Sequence, residues 1–159
     1  MPRPTPKPEN LALTELLLTM FRANNLTLSW GDRLVSPLGL TSARWQILGA
    51  IVQSGRPQPV AWLARDLGAN RQNVQRIVND LLREGLVSFE PNPHHKRAQL
   101  VVMTPKGQQT YEAAIGLYDP LVEALAEGLP IEDIEAAHRV MSALRAKLET
   151  FTDEDERQG

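Results

Sequence analysis

The hydrophobic period of this chain changes at Gly85, and that change limits the fold more than any other feature. Before it, Val60, Leu63, Ala64 and Leu67, then Val74, Ile77, Val78, Leu81 and Leu82, recur at intervals of three and four residues. Such spacing lines one face of each of two short helices. Pro59 suits the start of the first, Gly68-Ala69 makes a tight turn between them, and Asn70 can cap the second. After Gly85 the runs Leu86-Val87-Ser88-Phe89 and Leu100-Val101-Val102-Met103 are short and β-rich. Between them, Glu90 to Gln99 holds two prolines, two histidines, Lys96 and Arg97. Residues 59–103 therefore predict a helix, a turn, a helix and a two-stranded hairpin with a long basic loop, which is a winged helix-turn-helix pattern.

Four more helices are predicted around this module. Leu13, Leu16, Leu17, Met20 and Phe21 begin an apolar stripe that continues through Leu28, Gly31, Leu34 and Val35, and Pro37-Leu38-Gly39 ends it. Thr41 can cap a second helix, with Trp45, Leu48, Ile51 and Val52 as its buried face. Thr104-Pro105 opens a fifth, in which Tyr111, Ile115, Tyr118, Val122, Leu125 and Leu129 alternate spacings of four and three. That is a coiled-coil seam, within one chain or between two, and Pro120 should kink it. A sixth follows Pro130, with Ile134, Met141, Leu144, Leu148 and Phe151 inward, and its tail from Asp153 should fray. The opening Met-Pro-Arg-Pro-Thr-Pro-Lys-Pro predicts a disordered, proline-rich arm over residues 1–8, either inert or touching DNA through Arg3 and Lys7. Residues 9–159 then form a single domain. The fold expected is mainly α, with six helices and a small β-hairpin wing.

Several functions are disfavoured. The chain has no cysteine among its 159 residues, which removes disulfides, thiol nucleophiles, cysteine redox sensing and thiolate metal sites. The longest run without a charged residue, Trp45 to Gly55, is eleven residues, short of the roughly 18 that a membrane helix needs. Leu11 to Phe21 contains Glu15 and helical periodicity and lacks a cleavage site, unlike a signal peptide, so a cytoplasmic location is expected. No GxSxG or P-loop is present, and the ten glycines never approach closer than six positions. The chain is expected to be no enzyme and to need no cofactor. His94 and His95 are adjacent on a loop and His138 is remote, so no metal site is expected.

Charge is unevenly distributed. The net charge of −2 divides into +3 over residues 1–64, +2 over 65–97, +1 over 98–111 and −8 over 112–159. An anionic partner would meet the first two thirds. With the apolar face of the fourth helix buried, its exposed face carries Arg71, Gln72, Asn73, Gln75, Arg76 and Asn79, with no acid before Asp80. Arginine reads guanine, asparagine and glutamine read adenine, and a helix of this width enters the major groove. Arg71 and Arg76 are expected at phosphate or guanine, and Gln72, Asn73 and Gln75 at base edges. Lys96 and Arg97 form the wing tip, with Arg97 reaching the minor groove. The protein expected is a sequence-specific regulator that binds double-stranded DNA. The alternative is a winged-helix module that binds protein without reading an operator.

The chain resembles the MarR family of bacterial transcription regulators over nearly its whole length. Leu63-Ala64, Leu67-Gly68, Asn70 to Arg76, Leu81 and Gly85-Leu86-Val87 resemble the family's recognition module. His95-Lys96-Arg97, with Leu100, Val102, Met103, Thr104 and Gly107, resembles its wing and the start of its fifth helix. The chain departs from the pattern at His95, where the family places an acid, at Met103, where it places leucine, and at Pro120. The resemblance implies an intertwined homodimer reading a pseudo-palindromic operator. The DNA-binding lobe would cover about 40–103, and the dimerisation helices about 9–36 and 104–152. It also implies a repressor relieved by a small aromatic or anionic effector, bound where these parts meet. The candidates there are Asn24, Trp30, Arg44 and Trp45. Trp45 also suits the core, and Asn24 a hydrogen bond across the dimer.

Overall fold

Helix α1 (Pro8–Val35) begins on a proline, whose fixed φ suits a first helical position and whose missing N–H would have had no helical partner there. The helix thus starts one residue inside the predicted arm. The computed structural model describes residues 6–158, with side-chain surroundings as far as Phe151. Met1 to Thr5, including Arg3, lie outside the described residues. A 3-10 turn, Ser36–Leu38, follows α1. Then come α2 (Ser42–Ser54), β1 (Gln58–Pro59), α3 (Val60–Asp66), α4 (Arg71–Arg83), β2 (Val87–Glu90), β3 (Leu100–Met103), α5 (Pro105–Ala126) and α6 (Ile131–Gln158).

Local chemistry sets these boundaries. The Thr41 hydroxyl accepts from the Arg44 N–H at 3.3 Å and caps α2. The Asn70 carboxamide accepts from the N–H groups of Gln72 (2.9 Å) and Asn73 (3.2 Å) and caps α4. Gly85, with φ of +72°, follows α4 in the left-handed region that ends helices. The Thr104 hydroxyl accepts from the Gly107 N–H at 3.0 Å and donates to the Gly85 carbonyl at 2.7 Å. It thereby joins the end of α4 to the start of α5.

The chain divides into two compact units, the first reaching Asp119 and the second starting at Pro120, inside α5. In the first unit, Ile47 and Leu48 of α2, Leu63 of α3, and Val74, Val78 and Leu81 of α4 are fully buried with Val87 and Val101 of the sheet. Val35 and Ala114 join the same core. Ser42 fixes α1 against α2: its hydroxyl donates to the Leu28 carbonyl and its N–H to Asp32 Oδ1, both at 2.7 Å. Gly31 faces Ser42 so closely that a Cβ would overlap the hydroxyl.

The sheet has three strands where the hairpin reading expected two. β3 is central and antiparallel to both neighbours, in the order β1-β3-β2. β1 escaped notice because it is two residues long and one is proline, which is tolerated only on an edge strand. Gln58 of β1 is buried, and its side-chain oxygen has no hydrogen-bond partner among the described residues. Two predicted buried faces are displaced. Val52 and Leu82 are exposed, being the last apolar residues of α2 and α4 and lying at the rims of their stripes, while Ile47 fills the α2 core position.

In the second unit, α6 follows a turn through Gly128 and Pro130, whose carbonyl accepts from the N–H groups of Asp133 and Ile134. Its predicted inward row is largely uncovered. Met141 and Leu144 are half-buried, while Ile134, Leu148 and Phe151 are exposed. Val122, Leu125 and Leu129 of the predicted seam and Leu13 and Phe21 of α1 are exposed as well. The backbone of α6 is helical as far as Gln158, past Asp153. Among the described residues no helix is long and apolar enough to cross a membrane.

Candidate nucleic-acid interface

Helix α4 is sharply two-faced. Val74, Ile77, Val78 and Leu81 are buried, Arg71, Gln72, Asn73 and Arg76 are exposed, and Gln75 is half-buried. The polar face is internally tied at helical spacing. Gln75 Nε2 donates to Asn79 Oδ1 at 3.0 Å, and Arg76 Nη2 donates to Asn73 Oδ1 at 2.9 Å. These contacts limit side-chain rotation while leaving the outer edges of the groups free to bond elsewhere.

Asp80 lies behind this face and gathers three arginines. It pairs with Arg44 and Arg76, each at 3.8 Å, and with Arg83. Arg44 also donates to Glu84 Oε1 at 2.6 Å and to the Gly39 carbonyl at 3.3 Å. It therefore braces α2 against the end of α4.

The wing is the β2–β3 hairpin, in register from Val87↔Met103 to Glu90↔Leu100. Its loop is folded on itself. Asn92 Oδ1 accepts from the His94 N–H at 3.0 Å, and the His95 carbonyl accepts from the Ala98 N–H at 3.0 Å. His94, His95, Lys96 and Arg97 are all exposed. Between the wing and α4 lies a groove of about 990 Å³. Arg71, Gln75 and Asn79 line one side and His94, His95 and Arg97 the other. Among the described residues that line it, none is acidic. Gln72, Asn73, Arg76 and Lys96 lie outside the lining, on exposed surface nearby. Arg56 and Trp62 also line the groove. Sequence reading passed over both, although Trp62 falls off the Leu63-Ala64 face of its helix, a placement that marks an exposed tryptophan.

A second cavity, of about 410 Å³, opens between α1, α2 and the stretch of α5 from Tyr111 to Tyr118. Tyr118 sits edge-on to two indoles: Trp45 at 5.3 Å between centroids and Trp30 at 6.3 Å. The structure thus brings Trp30 and Trp45 into one cavity, but not Asn24 or Arg44. Asn24 is exposed on α1, and Arg44 is held at the α2–α4 brace. Tyr111 and Tyr118 were legible only as seam residues. The polar lining consists of neutral groups, among them Thr27, Ser42, Gln46 and Gln53. No cluster of three potential metal ligands occurs among the described residues.

Short helix, turn, capped polar helix and antiparallel wing together define a winged helix-turn-helix protein. Residues 38–98 match the model of the MarR family. The chain is 32% identical over 139 residues to the uncharacterized protein Rv2011c of Mycobacterium tuberculosis strain H37Rv, covering 85% of this chain and 96% of that one. It is 31% identical over 99 residues to the transcriptional activatory protein BadR of Rhodopseudomonas palustris, covering 61% of this chain and 57% of that one. Two solved proteins share the fold. MOSR of M. tuberculosis, in complex with DNA, superposes with a TM-score of 0.69 at 23% identity, covering 84% of this chain and 96% of its own. CouR of Rhodococcus jostii RHA1, bound to p-coumaroyl-CoA, gives 0.74 at 18% identity, with 82% and 91% covered. The chain belongs to the MarR family of transcription regulators.

Proposed function

We propose that this chain acts as a homodimer that reads a pseudo-palindromic operator in double-stranded DNA, and that it is a cytoplasmic, non-catalytic repressor relieved by a small effector. The observation that carries the DNA reading is the acid-free groove joining Arg71 and Gln75 of α4 to Arg97 of the wing. Arg71 and Arg76 take phosphate or guanine, Gln72, Asn73 and Gln75 take base edges, and Lys96 and Arg97 take the backbone and adjacent minor groove. MOSR, solved on DNA, supports the assignment by fold. Residues of about 40–103 serve as the DNA lobe and those of about 9–36 and 104–152 as dimerisation helices. Exposed Phe21, Leu26, Leu125, Leu148 and Phe151 support that role, since a monomer rarely leaves so many large apolar groups in water.

The effector site is the aromatic cavity. Its neutral lining favours an uncharged aromatic compound over the anionic one that Arg44 would have suited, because a buried anion without a paired cation is strongly disfavoured.

The test is a pair of substitutions measured against operator and unrelated DNA. Arg97→Ala should weaken binding to both DNAs by a similar factor, and Gln72→Ala should change base preference within the half-site. If neither alters binding, the contact assignment is wrong, and a protein-binding role becomes the better reading.

A further inference from the structure

We propose that Arg56 and Trp62 form a clamp for the DNA sugar-phosphate backbone, placed on the wall of the groove between α4 and the wing. The proposal rests on the DNA-binding reading above and adds contacts that neither the recognition helix nor the wing supplies. Trp62 is the starting observation. It is 43% exposed on α3, while its neighbours Leu63 and Ala64 are buried in the core. An indole left in water is otherwise unexplained by packing.

Two guanidinium groups cover it instead. Arg56 Cζ lies 5.4 Å from the ring centroid and Arg65 Cζ 5.6 Å, both within the range of about 6 Å for cation–π attraction. Arg56 comes from the loop between α2 and β1, and Arg65 from one turn along α3. Arg56, held on the ring, can still direct N–H groups of its guanidinium fork at an anion. The ring therefore restricts the guanidinium before any ligand arrives, which lowers the entropy lost on binding an anion.

The position selects the ligand. Arg56 and Trp62 share their groove with Arg71 and Arg97, and among the described residues none of its lining is acidic. None of Arg56, Arg71 and Arg97 is ion-paired among the described residues. When α4 occupies a major groove and Arg97 the neighbouring minor groove, one sugar-phosphate strand separates the two. That strand must cross the space between α4 and the wing, whose wall carries the clamp. The ligand is thus the backbone of double-stranded DNA, read without regard to base.

The experiment uses the full-length chain with two duplexes, an operator obtained by selection and a scrambled duplex of equal length and composition. Affinity is read by fluorescence anisotropy over a salt series. Arg56→Ala should weaken binding to both duplexes by about 5- to 10-fold and flatten the salt slope by about one ion. Trp62→Ala should weaken both, and Trp62→Phe should keep most of the affinity. Arg56→Lys should restore the slope but only part of the affinity. If Trp62→Ala does not fold, judged by its urea transition, the Arg56 variants decide alone.

If Arg56→Ala and Trp62→Ala stay within about twofold of the parent while Arg97→Ala weakens binding, the clamp is overturned and the DNA reading stands. Loss confined to the operator would also overturn it, because a backbone contact carries no sequence preference. If Arg71→Ala and Arg97→Ala are silent as well, clamp and DNA reading fall together.

Discussion

Replacing Asp80 by asparagine should make this protein slightly less stable and a tighter binder of unspecific DNA. Asp80 pairs with Arg44, Arg76 and Arg83, and its side chain is 16% exposed. Asparagine keeps the volume and removes the charge. Arg76 and Arg83 are largely exposed, so each pair contributes a few tenths of a kcal/mol. Arg44 keeps its 2.6 Å contact with Glu84. The summed loss is about 1 kcal/mol, or ~2–4 °C in Tm for a chain of this size. Meanwhile the polar face of α4 loses its nearest acid and Arg76 is released from a carboxylate. One more cation becomes available to phosphate, so affinity for scrambled DNA should rise and the salt slope should steepen by about 0.9. Urea melts and salt-series anisotropy measure the two effects separately. A loss above ~3 kcal/mol would refute the stability argument, since that is the cost of breaking a buried ion pair. Unchanged or weaker binding to scrambled DNA would refute a phosphate contact by Arg76 and leave guanine as its target.

Three further changes test the scaffold. At Gly107 a Cβ would overlap the Leu86 carbonyl, so Gly107→Ala should cost about 1–3 kcal/mol in urea melts. Asn70→Ala removes the α4 cap and should cost about 1 kcal/mol, with a further loss of operator affinity because the cap positions the first turn of the reading helix. Gln58→Met deletes a buried oxygen that has no partner among the described residues, so the protein should gain roughly 1 kcal/mol, seen as a higher Tm.

Local chemistry explains how much of this was legible in the chain. Asn70, Thr41 and Thr104 announce their helices because a capping side chain needs only its own neighbours, and all three cap as read. The change of period at Gly85 marks the wing for the same reason. The strand Gln58–Pro59 was hidden, since two residues carry no period and its pairing with Val101 and Leu100 is long-range. Arg44 looked available for an anion because nothing local shows Glu84, forty positions away, as its partner. Tyr118 was assigned to a seam because its spacing fits one, whereas its contacts with Trp30 and Trp45 depend on how three helices meet. The spacing of the α6 row predicts an inward face, yet Ile134, Leu148 and Phe151 are exposed, because a stripe cannot say whether its cover lies in the same chain.

Selection from a pool of random duplex DNA, followed by affinity measurement of the winner over a salt series, tests the central claim most directly. A dimer reading DNA through α4 and the wing predicts an inverted repeat, with half-site centres about one helical turn, ~34 Å, apart, and a steep fall of affinity with salt. Recovery of no motif, with weak and sequence-blind binding, would contradict it.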